Sequence, residues 1–135
     1  MSDIVSIVLN HGSIVADVVE GEAVIINVAT GIYYSTDGIG GWIWESLAAG
    51  APLAAIETTL AAMPEATGAD VAADLDRFVD EMIGESLVIP GPAASDAPLV
   101  APAIAYAAPT LSVYRDMTDL MALDPPMPML DPPVR

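Results

Sequence analysis

The sequence predicts an α+β fold: a three-stranded antiparallel sheet, then three helices, then a Pro-rich C-terminal arm. Three observations predict it. Short β-branched and apolar runs separated by tight turns lie between Ile14 and Ser35, and apolar residues recur at three-and-four spacing from Ile39 to Ile83. Ten of the twelve prolines stand at Pro90 or beyond, which separates a folded part, residues 1–89, from an arm, residues 90–135.

The first strand is read over Ile14 to Val19, where β-branched residues dominate and Ile14, Ala16 and Val18 alternate with Val15, Asp17 and Val19. Glu20-Gly21-Glu22 supplies a tight turn. Ala23 to Val28 forms a second strand, apolar enough to be central, and Ala29-Thr30-Gly31 turns the chain into a third strand over Ile32 to Ser35. Alternation sends one of Tyr33 and Tyr34 inward and the other outward.

Thr36 or Asp37 caps the first helix, which carries Ile39, Ile43 and Leu47 on one face, with glycines at 38, 40 and 41 weakening its first turn. Trp42 and Trp44 fall on different sides of it, so only one is deeply buried. The second helix starts after Pro52, presents Leu53, Ile56 and Leu60, and is stopped by Pro64. The third begins at Ala69 or Asp70. Val71, Leu75, Phe78, Val79, Met82 and Ile83 make its apolar stripe, while Asp74, Asp76, Asp80 and Glu81 occupy its other faces. Leu87-Val88-Ile89 returns to the sheet or packs beneath it. In the arm, Val113, Met117, Leu120 and Met121 share a helical face, enough for a short amphipathic helix near 111–124, and DPPMPMLDPP forbids its continuation.

Composition limits the partners. Nineteen acidic residues face three arginines and no lysine, a net charge of −16. Such a surface repels phosphate backbones and anionic membrane surfaces, and a neutral or basic partner suits it better. With no cysteine, disulfides, thiolate nucleophiles and Cys-based metal sites are excluded. The acidic N-terminus lacks the basic n-region of a signal peptide, and a cytoplasmic location is expected. Ala97 to Tyr114 is uncharged, but Pro98, Pro102 and Pro109 interrupt it, which argues against a membrane helix.

No catalytic constellation is visible. His11 is the only histidine, with no companion at ligand spacing, so no metal site or other cofactor is expected. The aspartates at 70, 74, 76 and 80 have helical spacing, not that of a calcium loop. Gly38-Ile39-Gly40-Gly41 lacks the following Lys and the βαβ context of a phosphate loop.

Three strands followed by three helices, with specific residues at the joints, resemble the PqqD-like family of peptide chaperones, also called RiPP recognition elements. Gly21-Glu22 precedes an aliphatic strand, Thr30-Gly31 turns into Tyr33-Tyr34, and Gly40 or Gly41 leads into Ile43-Trp44 and Leu47. Val71, Leu75, Phe78, Val79 and Met82 match the family's apolar third helix, and Leu87-Val88 its hydrophobic close. Ser35-Thr36-Asp37 stands where the family usually has Leu-Asn. The resemblance covers about residues 13–89.

It implies a winged helix-turn-helix-like fold and a non-enzymatic role: binding the leader segment of a ribosomally made precursor peptide and presenting it to a separate modifying enzyme. The leader adds as a strand to the open edge of the sheet and packs on the third helix. The matching positions are Ile32, Tyr33, Tyr34 and Ser35 on the strand and Leu75, Phe78, Val79 and Met82 on the helix, with Asp74 and Asp76 at the rim for a basic leader residue. This requires that residues 1–89 leave that edge open.

Three readings stand for residues 111–131: disorder; docking on a partner enzyme through Met117, Leu120, Met121 and Leu123; or folding back, in its own chain or a neighbour's, to fill the leader groove. A homodimer is compatible with the last. The alternatives for the whole chain are a scaffolding subunit whose arm is the working part, and a winged-helix transcription factor, which the charge disfavours.

Overall fold

The structure, a computed structural model, describes residues 7–66, 69–91 and 99–115. Its elements run β1 (Ile7–Leu9), β2 (Ile14–Val19), β3 (Glu22–Asn27), β4 (Ile32–Thr36), α1 (Gly38–Ala48), α2 (Leu53–Ala61), a 3₁₀ turn (Pro64–Ala66), α3 (Val71–Gly84), β5 (Val88–Pro90) and β6 (Ser112–Tyr114).

The meander forms because its turns are chemically specified. Only Glu20 and Gly21 separate β2 from β3, and both have positive φ, 52° and 82°, the geometry that matches the twist of a two-residue hairpin. Between β3 and β4 the Asn27 side chain accepts from the backbone N–H of Ala29 at 3.0 Å and of Thr30 at 3.3 Å, which fixes the turn locally.

The main sheet is four-stranded and antiparallel, in the order β2-β3-β4-β6, not the three-stranded sheet expected. The added strand comes from the arm. Tyr33, Tyr34 and Ser35 of β4 stand opposite Tyr114, Val113 and Ser112. The amphipathic helix expected near 111–124 therefore gives way at its start to a strand. Val113 does fit a helical stripe, but an unpaired sheet edge offers main-chain partners that a short isolated helix lacks. The remainder of that segment lies outside the described residues. A second, two-stranded sheet pairs β1 with β5, so Leu87-Val88-Ile89 does not join the main sheet.

The inner face of the main sheet is covered by helices. Ala23, Ile25 and Tyr34 meet Ile39, Ile43, Trp44 and Leu47 of α1, Leu53, Ile56 and Leu60 of α2, and Val71, Leu75, Phe78, Val79 and Met82 of α3 in one core. Each large side chain buried there contributes roughly 1.5–3 kcal/mol. Asp70 caps α3, accepting from the Ala73 N–H at 3.0 Å, whereas Asp37 stands at the N-cap of α1 without a side-chain bond. The glycines of α1 serve close approach: a Cβ at Gly41 would collide with the Gly21 carbonyl oxygen, and one at Gly40 with the Thr36 hydroxyl. Of the two tryptophans, Trp44 is buried and Trp42 half-buried. No helix of the described residues is long and apolar enough to cross a membrane.

Candidate peptide-binding site

The site expected from the sequence is a sheet edge beside an apolar helix, and the fold puts the two together. β4 lies at the border of the meander, and α3 follows the same side of the core. Residues 106–115 of the arm run between them, antiparallel to β4 and in the same direction as α3. At their start the Tyr106 hydroxyl donates to Asp74 Oδ2 at 2.7 Å. Next, an Arg77 guanidinium N–H donates to the Pro109 carbonyl at 3.2 Å, and the Thr36 hydroxyl donates to the Thr110 carbonyl at 2.7 Å. Three residues then pair with β4. Last, Arg115 meets Glu85, just past α3, at 2.6 Å. Further back, the Trp42 indole N–H donates to the Val100 carbonyl at 3.1 Å.

Alternation along β6 decides what faces the core. Val113 stands opposite Tyr34, whose side chain is 1% exposed and turned inward. Leu111 and Val113 pack against the core cluster. Ser112 and Tyr114 share the other face with Ser35 and Tyr33.

Glu85 is the electrostatic centre of this groove. Its carboxylate accepts the Tyr34 hydroxyl at 3.0 Å and also holds Arg115. Burial, and then the bond to Glu85, push the Tyr34 phenol up to about 12. The Tyr106 phenol is raised as well, by burial first and then by its bond to Asp74. The bond to Glu85 holds Arg115 in its charged form.

The sequence-derived residues divide into two groups. Ile32, Tyr33 and Ser35 are half-buried on β4 at the paired edge. Leu75, Phe78, Val79 and Met82 are 0–2% exposed with the arm in place, so they support the groove as core. Asp74 is engaged with Tyr106 and with Arg77 at 3.3 Å, and Asp76 lies half-buried on the same helix. The docking residues Met117, Leu120, Met121 and Leu123 lie outside the described residues. His11 is exposed in the turn before β2. Sequence reasoning missed Glu85, Arg77, Tyr106 and Arg115. One signal was available: cations are scarce in this chain, and the two arginines among the described residues each meet a carboxylate, Arg77 on Asp74 and Arg115 on Glu85.

Among known proteins, residues 22–88 match the family model described as coenzyme PQQ synthesis protein D (PqqD). The match runs from the start of β3 through the three helices to β5. No curated protein and no solved structure matches the chain.

Proposed function

Because residues 22–88 belong to the PqqD family, we propose that this chain binds the leader segment of a ribosomally made precursor peptide as an added strand on β4 and presents it to a separate modifying enzyme. The family is one of peptide-binding accessory proteins of cofactor and modified-peptide biosynthesis, and the match over residues 22–88 supports a role of that kind for this chain. The finer assignment rests on one observation: β4 accepts an antiparallel strand from outside the three-strand meander, between a row of main-chain partners and α3. An edge that pairs with Ser112–Tyr114 offers the same donors and acceptors to any extended peptide, while side-chain contacts select the sequence.

Ile32, Tyr33, Tyr34 and Ser35 then supply the edge, with Leu75, Phe78, Val79 and Met82 as its apolar support. Asp74 and Asp76 steer a basic leader. The segment carrying Met117, Leu120, Met121 and Leu123 is the part we assign to docking the enzyme. The reading keeps the winged helix-turn-helix comparison, with α2 and α3 as the helix pair, and a cytoplasmic location. Interfaces of this size give dissociation constants of about a micromolar to tens of nanomolar.

The test is titration of the full chain with the synthetic leader of a short precursor peptide sought among the neighbouring genes. Calorimetry and amide hydrogen exchange are read together. The expected result is saturable binding in which the amides of Tyr33, Tyr34 and Ser35 stay protected while those of Ser112–Tyr114 lose protection. Binding that leaves the exchange of both strands unchanged would refute strand addition on β4. Absence of any binding would favour the scaffolding reading, to which the filled groove already gives some weight.

A further inference from the structure

We propose that residues 106–115 are a built-in competitor for the β4 edge. Their side chains spell the client that displaces them: an extended segment with aliphatic residues at i and i+2 and a basic residue at i+4. This deepens the reading above and rests on it.

The pattern is read from the occupant. Leu111, Val113 and Arg115 are two apart, so in an extended chain all three point to one side. That side faces inward: Leu111 and Val113 pack on the core cluster, and Arg115 ends on Glu85. Ser112 and Tyr114 point away and impose little selection. The receiving groups all belong to the domain. β4 supplies the main-chain partners, Glu85 the counter-charge, and Asp74 a second carboxylate at the entrance, where it holds the Tyr106 hydroxyl. A client with the same spacing can therefore replace the strand pairing, the two aliphatic contacts and the ion pair, while the Tyr106 bond to Asp74 stays particular to the arm. The site is flanked by carboxylates in a chain of charge −16, which favours a basic client over an acidic one.

The arm's hold is suited to exchange. β6 pairs through three residues against the six of the β2–β3 hairpin. The Arg115 side chain is 57% exposed, so its ion pair is screened by solvent. The arm's advantage is its tether. The linker from Pro90 to Ser112 keeps the strand at an effective concentration on the order of millimolar. A client therefore binds with an affinity lowered by the fraction of molecules whose edge is vacant.

The experiment uses the full chain and the full chain carrying Leu111→Asp with Val113→Asp. The probe is a fluorescently labelled synthetic peptide, Ala-Pro-Thr-Leu-Ser-Val-Tyr-Arg, the sequence of residues 108–115. A second probe carries Arg115→Glu. Anisotropy should show the first probe binding the substituted chain at least about tenfold more tightly than the native chain. The Arg115→Glu probe should lose about tenfold on the substituted chain, and adding Glu85→Gln there should bring the two probes close to equality. Tyr106→Phe is the gentler variant, removing one hydroxyl from the arm, and should give a smaller gain in the same direction. Circular dichroism establishes that each variant is folded. Equal affinity of the first probe for native and substituted chains overturns the competitor. Equal affinity of the two probes overturns the basic position. Absence of binding to the folded, substituted chain overturns this proposal together with strand addition on β4. A probe that binds as expected while the natural leader does not leaves the edge chemistry standing and refutes the assigned client.

Discussion

Adding one methyl group at Gly41 should destabilise the protein, although alanine is the better helix former. Within α1, Ala for Gly contributes about 1 kcal/mol in favour of the helix. Against this, the new Cβ would fall on the Gly21 carbonyl oxygen, with Gly21 C at 3.1 Å and Thr36 O at 3.4 Å. These are backbone atoms. Gly21 cannot move aside without disturbing a two-residue turn in which both φ values are already positive. Overpacking that cannot be relieved by rotating a side chain belongs at the upper end of the usual range of about 1–3 kcal/mol. The net expectation is a loss of about 1–2 kcal/mol. For a domain of this size that lowers the Tm by roughly 5–15 °C. Gly84→Ala is the control, because it sits at the end of α3 with nothing within 4 Å of its Cβ position. It should gain about 0.4–1 kcal/mol through the unfolded state. Urea unfolding followed by tryptophan fluorescence measures both. If Gly41→Ala is as stable as the parent, or if both variants move the same way, the close seating of α1 on the β2–β3 turn is wrong.

Two further outcomes follow from Glu85. Arg115→Ala removes a solvent-exposed ion pair and should change stability little, whereas Glu85→Ala also leaves the part-buried Tyr34 hydroxyl without its acceptor and should cost about 1–3 kcal/mol; equal losses in urea unfolding would count against the shared carboxylate. The Tyr34 phenol, raised by burial and then by Glu85 to about 12, keeps its proton in the folded chain at pH values where the unfolded chain releases it, from about 10. Its contribution is complete below about pH 10 and disappears as pH climbs toward 12, so the urea midpoint should fall across that window, and the fall should be smaller in Tyr34→Phe.

Most of the meander and all three helices were legible because their determinants are local. Glu20-Gly21 dictates a hairpin, Asp70 announces α3, and the inward turn of one tyrosine in the Tyr33-Tyr34 pair follows from strand geometry. Gly41 was legible as a weak spot in α1 but not in its purpose, since the turn it makes room for lies about twenty positions earlier. What stayed hidden depends on partners far off in the chain. Ile7–Leu9 is too short to show a period, and it becomes a strand because Val88–Pro90 lies beside it. Residues 112–114 fit helical and extended patterns alike, and the vacancy on β4 decides between them. Glu85 read as one more acid in an acidic chain, because nothing local signals that it would meet a tyrosine fifty-one residues away.

The order in which the strands lie along the chain has a temporal consequence. Synthesis delivers residues from the N-terminus, so β2, β3 and β4 can join as soon as Thr36 has emerged, while β1 must wait for Val88. Ser112 comes later still. At ordinary elongation rates the stretch from 91 to 115 takes on the order of seconds to appear. Every newborn molecule thus passes through an interval in which the border of its sheet faces water and its own guard has not yet been translated.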